Sequence, residues 1–191
     1  GALTSKPYTF KARPWELKNT ETIDVHDALG SNIRIDSRGR AVMRALPRIH
    51  EEVNEEWISD KTRHAVDGLA KNRLDRPFVK KNGKLQEASW EEAFGLIASK
   101  IKGLKKGQLA GLVGDLCDAE SMYAFNDLMT ALDGEIECRQ DGSKVGGKHR
   151  AGYLFNSGVT GIDEADAILL VGSNPRHESP VLNSRIRQRW L

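Results

Sequence analysis

Beyond Pro77 the sequence changes period repeatedly, and that alternation most restricts the folds open to it. Ser89-Trp90-Glu91-Glu92 has the pattern of a capping box, in which the Ser89 hydroxyl accepts the third helical amide and Glu92 reaches back to the cap. Ala93, Leu96, Ile97, Ile101 and Leu104 then keep helical spacing. Residues 109–113 form a short apolar strand, followed by a helix capped at Asp118 with Met122, Phe125, Met129 and Leu132 on its core face. Gly134 ends that helix, residues 135–139 form a second strand, and a glycine-rich loop through Gly142, Gly146, Gly147 and Gly152 follows. Residues 167–171 are continuously apolar, as a strand covered on both faces must be. Ser179 then caps a last helix with Pro180 at its first position. Parallel neighbours need crossovers, so this order implies an α/β fold: a Rossmann-like parallel sheet with flanking helices over residues 77–191, truncated at the C-terminus.

The preceding residues 1–76 read differently, as a small irregular unit built around a β-hairpin. Residues 32–36 alternate apolar and polar, residues 37–40 supply a turn, and residues 41–46 resume an extended run that Pro47 ends. Ser59 or Asp60 caps a helix through Ala65, Val66 and Leu69, and Pro77 marks the junction between the two domains.

Several function classes are excluded by composition. A net charge of +2 with interleaved acids and bases gives no footprint for nucleic acid. Arg185, Arg187 and Arg189 alternate, so on a helix they fan outward, and a solvated helix end is expected there. The longest aliphatic run is far below the ~20 residues of a membrane helix, so no direct membrane insertion is expected. Cys117 and Cys138 belong to no Cys-x-x-Cys cluster and are expected as reduced, buried thiols. His26, His50, His64, His149 and His177 show no ligand spacing, so no metal residue is assigned. Gly1 is not a native start, and an excised fragment is expected.

Three segments lie where strand ends of such a sheet would favour anions. Residues 114–118 carry a single glycine and two acids, against phosphate. Residues 142–150 mix glycines with Lys144, Lys148 and Arg150 but match no known phosphate motif, and a surface loop is expected. Gly172-Ser173-Asn174-Pro175 is the best placed; a nucleotide contact and a plain Asx-type turn are equally open. No catalytic or cofactor-binding residue is assigned.

A longer signature runs through Arg13-Pro14-Trp15-Glu16, residues 21–33 and residues 54–63, and continues in Leu74-Asp75-Arg76-Pro77, Ser89-Trp90-Glu91-Glu92-Ala93 and residues 172–177. Together these resemble the large iron–sulfur subunit of respiratory NADH:quinone oxidoreductase, complex I, over essentially the whole chain. The resemblance places residues 1–4 just after the last cluster cysteine of a ferredoxin-like region, and the remainder at the start of a formate dehydrogenase/DMSO reductase-like domain. Relatives hold a [4Fe–4S] cluster there with thiolates; the resemblance puts Asp24, Asp27, Ser31 and Ser59 at the four ligand positions, and none is cysteine. It therefore implies no cofactor in this fragment, with iron–sulfur clusters only in a missing N-terminal region.

The function so implied is that of a non-catalytic scaffold fragment, inactive alone, in an NADH dehydrogenase that passes electrons from NADH to quinone. Its partners would be other peripheral-arm subunits and the ferredoxin-like region of its own subunit. Its place would be peripheral, on the cytoplasmic or mitochondrial matrix face of the inner membrane. The alternative is part of a molybdopterin-dependent oxidoreductase with pterin near Gly172, Ser173 and Asn174; a third is a free nucleotide-binding module.

Overall fold

The computed structural model describes residues 4–114, 116–137 and 148–191. It is a mixed α/β structure with small sheets, divided into two compact units: residues 1–72 with 147–191, and residues 73–146.

The first unit is organised on a three-stranded antiparallel sheet of β1 (Lys18–Ile23), β2 (Asn32–Arg38) and β3 (Ala41–Pro47), in the order β1-β2-β3. The expected hairpin is β2–β3, and its register shifts between Asp36 and Ser37. β1 is an additional strand, exposed at every residue. One face of the hairpin buries Ile33 and Ala45, and the other buries Asp36, whose carboxylate lies 2.7 Å from Arg44 Nε and 2.9 Å from Arg34 Nε. The Arg44 guanidinium also lies over the Tyr8 ring, 4.6 Å from its centroid, which covers the charge pair with an aromatic face. Ser59 caps α1 (Asp60–His64) by accepting the Thr62 amide, and a 3-10 turn, Ala65–Ala70, continues it. From the C-terminal segment come the short α4 (Pro175–Glu178), which sequence periodicity does not show, and α5 (Pro180–Trp190).

Asn54 joins these pieces. Fully buried, its amide nitrogen donates to the carbonyls of Arg48 (3.0 Å), Trp57 (3.2 Å) and Glu55 (3.3 Å), while its oxygen accepts the Asn32 amide at 2.9 Å. A single side chain thus satisfies four backbone groups around an irregular turn in which Glu55 has φ +49°.

The second unit starts with the hairpin of β4 (Phe78–Lys81) and β5 (Lys84–Glu87). Its two turn residues, Asn82 and Gly83, both have positive φ, the conformation that a two-residue turn of this hand requires. The helix α2 (Trp90–Ile101) begins where the capping pattern places it, with Ser89 accepting the Glu92 amide at 3.1 Å. The Glu92 carboxylate, however, pairs with Lys81 at 2.5 Å. β6 (Ala110–Leu112) and β7 (Glu135–Glu137) pair in parallel, with α3 (Ala119–Ala131) between them in sequence. Gly111 fits this packing because a Cβ would stand 2.7 Å from the Phe125 ring.

The expected third strand, residues 167–171, is not a strand: it has no ladder partner among the described residues, and Leu169 and Val171 are 87% and 78% exposed. A strand exists only through its neighbour's hydrogen bonds, so hydrophobicity alone did not determine its state. Likewise the apolar face of α2 has no buried residue.

Candidate functional site

Residues 24–31 form a closed loop at the end of β1. The Asp24 amide donates to the Ser31 carbonyl at 2.8 Å, and Gly30, at φ +69°, lets the chain return to β2. Inside the loop Asp24 Oδ1 accepts the His26 amide (2.8 Å) and Asp27 Oδ1 the Leu29 amide (2.9 Å), two Asx turns in succession. The second carboxylate oxygen of Asp24 accepts the Thr62 hydroxyl, whose oxygen lies 2.9 Å from Ser59 Oγ. Because the Thr62 proton is directed at Asp24, Ser59 donates to Thr62, giving an ordered chain from Ser59 through Thr62 to Asp24. Asp27 turns to the C-terminal segment, where Ser179 Oγ donates to its Oδ1 at 2.8 Å.

All four positions singled out in the sequence are thus interior: Asp24 and Asp27 are 3% exposed, Ser31 0% and Ser59 4%. The structure links Asp24 to Ser59 through Thr62 and to Ser31 through the backbone. Two partners, Thr62 and Ser179, escape sequence reasoning. Thr62 had a signal, three residues after a capping serine; Ser179 was expected to cap α5, but its hydroxyl is engaged by Asp27 and makes no cap bond.

Other expectations change. Arg185 is not part of a solvated helix end: it is 7% exposed and pairs with Asp163 (2.5 Å) and Glu55 (3.2 Å), while donating to the Glu51 carbonyl (2.8 Å). Three acceptors converge on one guanidinium there, which outweighs the fanning expected of an isolated helix. Cys117 is exposed, not buried, and Cys138 lies outside the described residues, as do residues 138–147 of the glycine-rich loop and Asp115. In the segment 172–175 the Asn174 amide donates to Glu178 Oε2 at 3.2 Å. A carboxylate already occupies that amide, a setting that disfavours an anionic pterin nucleotide. Among the described residues no group of three or more His, Cys, Asp and Glu side chains is arranged to hold a metal. No helix among them is long and apolar enough to cross a membrane.

Residues 73–191 match the family model described as molybdopterin oxidoreductase. The chain belongs to that family. Residues 17–67 match a second model, the NADH-ubiquinone oxidoreductase NDSU1/NuoG-like 4Fe-4S domain. Relatives are similar over the full chain. A subunit of the NADH-quinone oxidoreductase of Rickettsia conorii is 54% identical over 99% of this chain and 28% of its own length. The mitochondrial NADH-ubiquinone oxidoreductase 78 kDa subunits of Candida albicans and Neurospora crassa are 53% and 52% identical over 100% of this chain and 27% of theirs. The chain spans just over a quarter of the length of these curated relatives. The resemblance read from the sequence holds across both halves.

One expectation is overturned by this comparison. An iron–sulfur unit does not belong only to some other region, since residues 17–67 of this chain are themselves of the 4Fe-4S domain type. The side chains at the four positions nevertheless supply two carboxylates and two hydroxyls, all of them buried. Iron–sulfur clusters take thiolates, so these donors do not fit one, and no chemical step is derived through a cluster at this place.

Proposed function

We propose that this chain is a scaffold segment of the large iron–sulfur subunit of an NADH:quinone oxidoreductase. One observation carries the reading: a polar network, buried at Asp27–Ser179 and at Arg185, ties the NuoG-like domain to the C-terminal segment of the same unit. Asp27 meets Ser179, the Ala28 amide donates to the Glu178 carbonyl (3.1 Å), Lys61 donates to the His177 carbonyl (2.8 Å), and Arg185 meets Glu55. These bonds join residues of the two matched families into one folded body, the arrangement of a structural joint. The identity of more than half to subunits of NADH-quinone and NADH-ubiquinone oxidoreductases supports the assignment to such an assembly. Exposed apolar side chains such as Trp15, Ile49 and Leu74 suit a part that packs against others.

On this reading the partners are other peripheral-arm subunits and the ferredoxin-like region of the same subunit. The location is peripheral, on the cytoplasmic or matrix face of the membrane. The segment alone is inactive and carries no catalytic residue. β6–α3–β7 is the beginning of a Rossmann-like parallel sheet, a reading supported by the helix that lies in sequence between its two parallel strands. A pterin enzyme is less favoured because of the Glu178 contact to Asn174.

The test is assembly. Cells carrying Asn54→Ala or Asp27→Ala in the full-length protein are expected to contain less assembled NADH:quinone oxidoreductase on native gels. Turnover per assembled complex should be unchanged. Normal assembly with altered turnover would sink the scaffold reading.

A further inference from the structure

We propose that Asp24, Asp27, Ser31 and Thr62 form an oxygen-donor site for a hard divalent cation of the Mg2+ or Ca2+ class. The starting point is uncompensated charge. Asp24 and Asp27 are both buried, and among the described residues the ion pairs of this unit go to other acids: Asp36, Glu16, Glu21, Glu55, Asp163 and Asp166. The one lysine of α1, Lys61, is directed to the His177 carbonyl. Buried carboxylates are strongly disfavoured unless paired with a cation or a metal.

Unfilled donor capacity is the second, independent observation. Asp27 Oδ2 and Ser31 Oγ are buried with no hydrogen-bond partner, although Asp27 Oδ1 accepts two bonds. Both belong to the loop that the Asp24 amide and Ser31 carbonyl close, so the unpartnered oxygens and the Asp24 carboxylate are held on one eight-residue turn. Thr62 Oγ1 is brought to Asp24 from α1 and, after donating there and accepting from Ser59, keeps one lone pair. Carboxylates and hydroxyls are ligands for hard cations, and two carboxylates balance one divalent charge. The ligand class differs from the thiolate-bound cluster of the matched 4Fe-4S domain, and nothing in it depends on the scaffold reading.

The full-length protein, purified without chelator and dialysed against metal-free buffer, is analysed for metals. It is then melted with EDTA, and again with Mg2+ or Ca2+ alone. Retention of about one equivalent of Mg2+ or Ca2+ that Asp27→Asn lacks supports the site, as does an EDTA-induced fall in Tm that the variant does not show. Asp27→Asn keeps an oxygen for Leu29 and Ser179, so it preserves the fold's hydrogen bonds. Ser31→Ala decides the sign. With a cation bound it weakens Mg2+ or Ca2+ affinity, about tenfold, and lowers Tm only in metal; without one it removes an unsatisfied buried hydroxyl and raises Tm in either buffer. The second pattern overturns the proposal, and so does a loss of iron, not Mg2+ or Ca2+, on Asp27→Asn.

Discussion

Among the described residues, every buried polar side chain lies in the unit of residues 1–72 and 147–191: Asp24, Asp27, Ser31, Asp36, Asn54, Ser59, Thr62, Ser179 and Arg185. Among the described residues of 73–146 the buried side chains are Val79, Val113 and Met129, and none of these is polar. The difference separates two ways of holding a fold. An apolar interior tolerates other apolar side chains of similar volume. A polar one is directional, and losing one partner leaves the others buried and unbonded, which costs more than the bond contributed. The first unit therefore combines loops and short elements in one specific arrangement, at the expense of tolerance to substitution.

The largest effect that would sharpen this contrast is at Asn54. Asn54→Ala orphans the carbonyls of Arg48 and Trp57 and the Asn32 amide, and a loss of about 3–4 kcal/mol is expected by urea denaturation. A loss below about 1 kcal/mol would break the comparison, because the polar interior would then be no more demanding than an exposed surface. Arg185→Leu comes next, at about 2–3 kcal/mol. It removes the charge facing Asp163 and Glu55, but those carboxylates are 49% and 38% exposed and regain water, which keeps the cost below that of a fully buried pair. The other side of the comparison is Met129. Met129→Ala should cost about 2 kcal/mol and Met129→Leu under about 1.5 kcal/mol, while Asn54→Gln, also a conservative change, should approach Asn54→Ala.

The same contrast explains what could be read from the sequence. Local patterns were legible: the β2–β3 hairpin from its alternation and turn, and α1, α2 and α3 from Ser59, Ser89 and Asp118. The mixed α/β character followed. β1 was not legible, since Lys18–Ile23 is exposed on both faces and carries no alternation. The β4–β5 hairpin did leave a signal in Asn82-Gly83, but lysines flank it and mask the strands. Of the polar interior, the family resemblance gave the four positions in residues 24–59. Their partners were beyond reach, because Asp27 finds Ser179 across 152 residues and a hydroxyl in isolation predicts nothing. Arg185 failed for the same reason: helical spacing describes a helix alone, whereas its three acceptors come from elsewhere in the chain.

Outside both interiors the effects should be small and local. Ser89→Ala removes the acceptor for the Glu92 amide at the start of α2, and about 1 kcal/mol is expected, seen in denaturant unfolding of the full chain. An effect as large as that of Asn54→Ala would mean that burial is not what distinguishes the two sets of hydrogen bonds.

The smallest effect is a titration at the exposed cap of α3. The Ser121 amide donates to Asp118 Oδ1 at 2.7 Å and the Ser121 hydroxyl to Oδ2 at 2.9 Å, and the amide bond first, then the hydroxyl, holds the carboxyl below its usual 3.8. A lowered value in the folded state means that the charged cap is favoured by folding. Its contribution is fully present above the unfolded value and fades as pH falls through the folded one, so α3 should fray at the acid end, below about pH 4. Amide exchange at Ser121, measured down this range, should accelerate, and Asp118→Asn should flatten the acid dependence because asparagine still accepts the amide but does not titrate. Acid protection unchanged between the two proteins would show that the α3 cap contributes through shape and not through charge.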